Sequence, residues 1–141
     1  MGTGLRRTDL QALALADQSD AELLLKQKRF SNAYHIAGYA VEIGLKACIA
    51  KQVAPATIPD KDLMKNFFVH DFVQLVGLAG LKEELAAELK EISNFAANWA
   101  LVGEWSPESR YQAWDPTSAQ YMVSAISHPT FGVMQWIKKY W

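Results

Sequence analysis

The segment from Ser31 to Gln52 constrains the fold most strongly, because it is rich in helix-forming residues and apolar on nearly every side. No proline interrupts the chain before Pro55, so a long helix can form here. A soluble protein must cover such a helix from several directions, and we therefore predict a central helix. Small residues that would let neighbouring helices approach closely recur along it: Ala33, Ala37, Ala40, Gly44 and Ala47.

The chain before this segment predicts a first helix, from Asp9 to about Lys28. Its apolar residues recur at helical spacing, and they are Leu10, Leu13, Ala14, Ala21, Leu24 and Leu25. The run Thr8–Gln11 has the pattern of a capping box, in which the Thr and Gln side chains each satisfy a backbone donor. Asp17 falls on the apolar face, so either it has a partner or the helix breaks at Gln18–Asp20. We favour a continuous helix.

The rest of the chain also predicts helices joined by loops. In order, these are a loop over Thr57–Asp62, a short helix over Asp71–Leu78, a long helix over Leu81–Val102, an aromatic loop over Trp105–Asp115 and a last helical stretch. Asp71 and Asp115 are favourable N-caps, and Pro116 suits the first position of a helix. The pair His128-Pro129 either kinks the last stretch or divides it into two helices. We predict a single all-α domain over residues 1–141.

Composition supports a folded chain and excludes several classes of function. Hydrophobic residues make up 50% of the 141 residues and charged residues 21%, as in ordinary globular domains. With 14 basic and 15 acidic residues the net charge is -1, so no global positive field attracts nucleic acid from a distance. The chain shows neither a secretory signal nor the long apolar run of a membrane helix. We expect a cytoplasmic protein with no membrane attachment.

Motifs for metals, cofactors and covalent catalysis are missing from the sequence. The single cysteine, Cys48, cannot form an intramolecular disulfide, and we expect it to pack in the core as a small apolar residue. The pair His70-Asp71 could begin a metal site, but the only other histidines are His35 and His128, so N-capping by Asp71 is expected instead. The sequence has no Gly-rich phosphate loop and no cysteine pair for zinc. We expect neither a metal nor a cofactor.

Four polar residues form one line along the central helix, because His35, Tyr39, Glu42 and Lys46 follow one another at spacings of four, three and four residues. At 100° per residue they fall within about 60° of each other. In water, Glu42 and Lys46 would contribute only about 0.3–0.5 kcal/mol as an i,i+4 pair, whereas burying them without partners costs several kcal/mol. The line therefore faces water as a solvated seam, or it faces a subunit interface or a polar cavity.

Arg110 lies in a second informative patch, where its neighbours are aromatic. A guanidinium in this setting can stack on the neighbouring aromatic rings and pair with a carboxylate, and it would then serve only to hold the loop in place. It can also stack on a nucleobase and bind a phosphate in two places. The residues that we consider for nucleotide or nucleic-acid binding are Arg110, Tyr111, Trp105, Tyr39 and Lys46, with Trp114 as a further aromatic neighbour.

The segment Ala33–Ala47 resembles the second-helix signature of the HEPN domain family, which comprises small all-α bundles. The run Trp105–Tyr111, with its Trp-x(4)-Arg-Tyr pattern, and the ending Gly132–Ile137 are similar to further parts of that family. The order and length of the predicted helices agree over nearly the whole chain. The resemblance implies an antiparallel bundle of four to five helices, of the type found in nucleotidyltransferase substrate-binding subunits. It also implies a homodimer with functional polar groups near the dimer seam.

The resemblance implies more than one activity. Many members are metal-independent ribonucleases that act as toxins or in defence, whereas others are partners of minimal nucleotidyltransferases. The ribonucleolytic members carry an Arg followed four to six residues later by a His. Arg110 matches that Arg, but Asp115, Pro116 and Thr117 leave the His unmatched. Proton transfer would then require other groups, and His35 and Glu42 are the candidates to act beside Arg110.

Three functions are compatible with these features. The first is a dimeric, non-catalytic module that binds a nucleotide, RNA or a nucleotidyltransferase partner, in a toxin–antitoxin or nucleotidyltransferase-associated system. The second is a metal-independent endoribonuclease toxin with an altered proton-transfer residue. The third is a structural subunit that binds only protein. The unmatched His favours the first and third of these functions.

Overall fold

All regular structure is helical in the residues that the computed structural model describes, which are 6–53, 61, 65 and 67–141. The helices are α1 (Arg7–Lys26), α2 (Phe30–Lys51), α3 (Phe72–Leu78), α4 (Lys82–Glu91), α5 (Ser93–Val102), a 3-10 helix (Pro107–Tyr111), α6 (Pro116–Ser127) and α7 (Val133–Lys138). The all-α prediction is confirmed for these residues. None of their helices combines the length and the apolar character needed to cross a membrane.

Helix α2 lies at the centre, as predicted, and it contacts α1, α3, α6, α7 and the 3-10 helix. All of the small residues that were predicted to allow close approach are buried: Ala33, Ala37, Ala40, Gly44 and Ala47. A methyl group on Gly44 would lie only 3.1 Å from Cγ2 of Ile137 in α7. Helix α7 therefore packs directly against the backbone of α2.

Another close approach to α2 occurs at Gly38, where the indole of Trp105 lies against the helix backbone. A Cβ atom at this position would overlap the indole ring. The indole Nε1 donates a hydrogen bond to the backbone oxygen of His35 at 3.1 Å. The ring of Phe72, in α3, stacks on Trp105 with 5.5 Å between ring centroids. Trp105 therefore joins α2 and α3 to the chain that enters the 3-10 helix.

Helix α1 is continuous, as predicted, but it begins earlier than expected. Its N-cap is Arg6, whose backbone N–H donates to the carboxylate of Asp9 at 3.2 Å. The predicted capping box at Thr8–Gln11 is wrong, because that run already lies inside the helix. Asp17 is partly buried on the inner side. This burial and, to a smaller extent, the negative charge of Asp20 raise the pKa of the Asp17 carboxyl.

The predicted long helix over Leu81–Val102 is wrong in one respect, because it is divided at Ile92. This residue has an extended backbone, with φ -117° and ψ 94°, and it separates α4 from α5. Its N–H bonds to the oxygen of Glu88 and its own oxygen accepts from Ala96, so both helices remain bonded up to the break. The sequence hides this break because Ile92 fits the apolar spacing of a single helix.

Two helix starts were predicted correctly from their N-caps. The Asp71 carboxylate accepts a hydrogen bond from the backbone N–H of Gln74 at 3.0 Å and caps α3. The Asp115 carboxylate accepts from the backbone N–H of Ser118 at 2.6 Å and caps α6. Both caps are local devices that satisfy a backbone donor of the first turn.

The connections differ more from the predictions. His128-Pro129 divides the last stretch into α6 and α7, so the alternative of one kinked helix is wrong. The aromatic loop Trp105–Asp115 contains the 3-10 helix, which the sequence did not indicate. The predicted loop over Thr57–Asp62 lies outside the described residues, apart from Lys61.

We expect Gly38→Ala to lower the free energy of unfolding by about 2 kcal/mol, because the added methyl group must displace the Trp105 indole from α2. Urea unfolding followed by circular dichroism measures this change. Gly77→Ala in α3 is the matched control, since its methyl group would meet no neighbouring atom within 4 Å. Helix propensity should make that control more stable by up to about 1 kcal/mol. If Gly38→Ala is as stable as the wild type, the packing of the Trp105 indole against α2 does not require glycine at this position.

Candidate functional site

The Glu42 and Lys46 half of the polar line is buried, with side-chain exposures of 6% and 10%. Lys46 Nζ lies 3.3 Å from Glu42 Oε2, and His70 Nδ1 lies 2.7 Å from Glu42 Oε1. Lys46 Nζ also lies 5.4 Å from the centre of the Phe67 ring. The interpretation as a solvated seam is therefore wrong for this half. A buried charge is tolerated here because each carboxylate oxygen has a partner.

The His35 and Tyr39 half of the line is only partly buried and lies beside Trp105. The His35 and Tyr39 rings meet edge to face at 4.8 Å, and the Tyr39 and Trp105 rings meet the same way at 5.1 Å. Trp105 itself is only 5% exposed, and Phe72 and Gly38 already contact it. The indole is therefore a fixed wall of the site. Little of its surface remains for a ligand to stack on.

Arg110 is exposed on the 3-10 helix. Its Nη2 donates to the hydroxyl oxygen of Tyr111 at 2.9 Å, and its guanidinium carbon lies 4.9 Å from the centre of the Tyr111 ring. Tyr111 is 75% exposed. The hydrogen bond to Tyr111 is the main cause of a raised pKa for Arg110, and Coulombic interactions with Tyr111, Tyr39 and Glu108 raise it further. Both side chains can therefore reach a ligand, and Arg110 carries its positive charge.

Trp114 anchors the chain that follows Arg110. Its ring stacks on Tyr34 of α2 with 3.7 Å between centroids, and its indole Nε1 donates to the backbone oxygen of Ser109 at 3.0 Å. Its backbone N–H donates to the hydroxyl of Ser31 at 2.9 Å. The expectation that aromatic residues hold this loop is thus confirmed for Trp105 and Trp114. The expected carboxylate partner of Arg110 is replaced by the hydroxyl of Tyr111.

Electrostatic interactions link Arg110 to His35 and to Tyr39, and the 3-10 helix packs against α2. We call His35, Tyr39, Arg110 and Tyr111 the Arg110 cluster. The pKa of His35 is lowered below its ordinary value, mainly by burial and secondly by the positive charge of Arg110. Nδ1 of His35 is buried and has no hydrogen-bond partner among the described residues. Protonation would turn this nitrogen into a buried donor without an acceptor, which also favours the neutral ring.

The proposed acid and base candidates on α2 have different surroundings. Glu42 contacts Lys46 and His70, whereas the His35 ring contacts Tyr39 and Trp105. Glu42 is 4% exposed, and of its two described partners His70 is the more exposed. The two candidates therefore do not form one acid–base pair.

Cys48 is a core residue, as predicted. It is 1% exposed, and its Sγ lies 3.7 Å from the backbone oxygen of Ile137. Burial raises the pKa of the thiol to about 12. The thiolate needed for nucleophilic or metal chemistry is therefore scarce at neutral pH.

His70 is the polar residue whose surroundings the sequence did not predict. It stands 28 positions after Glu42, and no spacing rule links two residues that far apart. Its neighbour Asp71 is an N-cap, as expected. In the described part of the chain no group of three or more His, Cys, Asp or Glu side chains could hold a metal ion.

Comparisons with known proteins assign no role to these residues. Comparison with protein-family models, with characterised proteins and with solved structures finds no match to this chain. The function must therefore be argued from the geometry of the Arg110 cluster and of the residues around Glu42.

Proposed function

We propose that this protein is a cytoplasmic, HEPN-like helical module that dimerises and binds a nucleotide or RNA at the Arg110 cluster, together with a nucleotidyltransferase partner. The observation that carries the proposal is the exposed guanidinium of Arg110 beside the exposed ring of Tyr111. A guanidinium fork fits the oxygens of a phosphate, and a tyrosine ring offers a face to a base. Because the net charge is -1, this recognition is local and not a long-range attraction.

The hydrogen bond between Arg110 and Tyr111 supports this interpretation. Tyr111 occupies only one of several donors of the guanidinium, so the others are available to an anion. An incoming phosphate can also replace the hydroxyl, because a charged acceptor bonds a guanidinium more strongly than a neutral one. The same exchange would free the Tyr111 ring to stack on the base attached to that phosphate.

Binding without cleavage is the better supported outcome. Asp115, which stands where the family resemblance would place a proton-transfer group, already accepts a hydrogen bond from the backbone of Ser118. That bond lowers the pKa of the Asp115 carboxyl, so it carries no proton to donate near neutral pH. The ribonuclease alternative rests on one observation, which is that His35 is a neutral imidazole close to Arg110 and so could accept a proton.

The proposed dimer has a suitable surface on α1. Leu13, which the sequence placed on the buried face, is 48% exposed, and Leu15 and Leu23 are 44% and 56% exposed. Leu23 also lines a groove between α1 and α2, together with Leu24 and Ile36. A second copy of the chain would cover Leu23 and the groove beside it, in line with the homodimers that the family resemblance implies.

We expect Arg110→Ala to weaken binding of ATP or of a short single-stranded RNA by about tenfold or more, because charge-assisted hydrogen bonds contribute about 1.5–3 kcal/mol. Isothermal titration calorimetry measures the change. Arg110→Lys keeps the charge but loses the planar fork, so it should restore only part of the affinity.

Lys90→Ala is the matched control for Arg110→Ala, since it removes one positive charge from the exposed face of α4. Equal binding by Arg110→Ala and the wild type contradicts the site. Cleavage of labelled RNA by the wild type but not by His35→Ala would establish the ribonuclease alternative. If neither probe binds any variant, the chain is a structural subunit.

We expect sulfate, which is a dianion at the pH values where histidine titrates, to raise the pKa of His35. The bound anion would offset the positive charge of Arg110, which contributes to the lowered value in the free protein. By linkage, sulfate affinity then increases as the pH falls through the range in which the His35 imidazole takes up a proton. Proton NMR titration of the His35 ring, with and without sulfate, measures both effects.

Arg110→Ala should also raise the pKa of His35 without sulfate, and sulfate should then have little further effect. The ring of His128, which lies outside the Arg110 cluster, provides a reference signal in the same spectra. A His35 titration that neither sulfate nor Arg110→Ala changes would show that Arg110 acts too far away to influence it.

We expect light scattering after gel filtration to give about twice the 15.8 kDa of one chain. Leu23→Glu should produce a monomer, because it places a charge in the proposed apolar interface. Val73→Glu is the control, since Val73 is 70% exposed on α3 and away from the groove. A wild-type monomer, or an unchanged dimer in Leu23→Glu, would disprove this interface.

A further inference from the structure

A second site is indicated where the buried carboxylate of Glu42 meets the protein surface. His70 is the connection, because its ring is half exposed while its Nδ1 lies 2.7 Å from Glu42 Oε1. The ring also lines a cleft of about 250 Å³ between the start of α3 and the chain that links α5 to the 3-10 helix. We infer that this cleft binds a small planar molecule that carries a hydroxyl or ring N–H, and that Nε2 of His70 accepts its hydrogen bond.

The contact with Glu42 determines which nitrogen of the neutral His70 ring carries the proton. The other oxygen of Glu42 accepts from the ammonium of Lys46 at 3.3 Å, so the carboxylate serves as an acceptor on both sides. An ionised carboxylate has no proton to give, and Nδ1 must therefore be the donor at 2.7 Å. The lone pair of the neutral ring is then on Nε2. Glu42 thus holds His70 as an oriented hydrogen-bond acceptor.

Burial makes Glu42 a rigid support for this ring. Its side chain is 6% exposed in the centre of α2, and it cannot turn towards water without losing both of its partners. The surrounding low-dielectric interior also strengthens each of these hydrogen bonds. A half-exposed histidine would otherwise exchange freely between orientations and tautomers.

The walls of the cleft favour an aromatic or otherwise planar occupant. Trp99 is partly exposed and contributes aromatic surface, while the buried rings of Phe72 and Trp105 add little more. The volume is below the roughly 300–1,000 Å³ of sites for drug-sized ligands. A single ring system therefore fits better than a polymer. Flat apolar rings and one directional acceptor together select a molecule such as a phenol or an N-heterocycle.

Among the polar side chains that line the cleft, His70 is the one that offers a ring nitrogen as an acceptor. The Asp71 carboxylate, which also lines the cleft, already accepts from the backbone N–H of Gln74. Ser106 begins the 3-10 helix, where its backbone N–H donates to the hydroxyl of Ser109 at 3.3 Å. The residues that line the cleft include neither Arg110 nor Tyr111, so this site is independent of the proposed phosphate site.

Long-range proton–nitrogen NMR of the chain with ¹⁵N-labelled histidine tests the tautomer. We expect His70 to carry its proton on Nδ1. His128 is an internal control with the opposite tautomer, because its Nδ1 accepts hydrogen bonds from the backbone N–H groups of Thr130 and Phe131 at 3.1 and 2.9 Å. Its proton should be on Nε2. A His70 ring protonated on Nε2 overturns the proposal, because that nitrogen could then accept nothing.

Titration with phenol, and with toluene as its match in shape, tests the ligand class in the same spectra. Phenol should shift the His70 Nε2 signal and the indole signals of Trp99 and Trp105 in a saturable way. Toluene should bind about threefold to tenfold more weakly, since it lacks the hydrogen bond. His70→Phe should remove this preference while keeping an aromatic wall.

Two further outcomes would overturn the site. One is equal affinity for phenol and toluene in the wild-type protein, and the other is a set of phenol shifts that avoids His70 and Trp99. Both are read from the wild type, so the test does not depend on whether His70→Phe folds. Because neither probe carries a phosphate, failure of the Arg110 site would leave this result unchanged.

Discussion

The contact between the Trp105 indole and the backbone of α2 determines where both candidate sites lie. It requires glycine at position 38, and it is fixed by a hydrogen bond from the indole to the oxygen of His35. Phe72 stacks on the same indole and brings the start of α3 against it. On the α2 side of the indole lie His35 and Tyr39 of the Arg110 cluster. Trp105 also forms part of the wall of the His70 cleft. One close-packed aromatic ring thus connects two surfaces with different chemistry.

The polar line on α2 shows how a buried helix can retain charged residues. Desolvating an isolated ion costs several kcal/mol, so burial of Glu42 and Lys46 requires partners from elsewhere in the chain. Lys46 supplies one of these from the next turn, and His70 supplies the other from the segment before α3. Because the buried Glu42 carboxylate needs a second partner, it also orients the His70 ring. Glu42 therefore has two roles: its pairing with Lys46 makes burial of both charges possible, and its contact with His70 orients a ring at the surface.

The sequence predicted features that depend on neighbouring residues, and it missed those that depend on distant ones. The central helix and the caps at Asp71 and Asp115 follow from periodicity and from one side chain bonding to its own first turn. The pairing of Glu42 with His70 spans 28 positions and leaves no pattern in the sequence. The break at Ile92 is equally hidden, because its side chain fits the apolar stripe on either side. Gly38 did carry a signal, since glycine inside a long helix costs up to about 1 kcal/mol relative to alanine and so indicates a close neighbour.

The sequence named candidate residues but not their arrangement. Arg110 interacts electrostatically with His35 and Tyr39, whereas Lys46 and Glu42 are buried, and Glu42 contacts His70. Trp105, chosen as a stacking surface, instead serves as packing. These differences arise because the sequence shows which side chains are polar or aromatic, but not which face of each one the rest of the chain covers.

The backbone around Arg110 is held more firmly than its side chain, and this combination suits a binding site. Ser109 is buried, and Trp114 fixes the following chain by stacking on Tyr34 and by bonding to the oxygen of Ser109. Within the described part of the chain, the guanidinium hydrogen-bonds to Tyr111, and Arg110 remains exposed. Binding then orders one side chain without having to order a loop, which lowers the entropic cost of association. A purely structural arginine would more commonly be fixed by a buried carboxylate, as Lys46 is by Glu42. The contrast between these two cations, one enclosed and one exposed on a rigid support, is the strongest physical reason to assign ligand binding to Arg110.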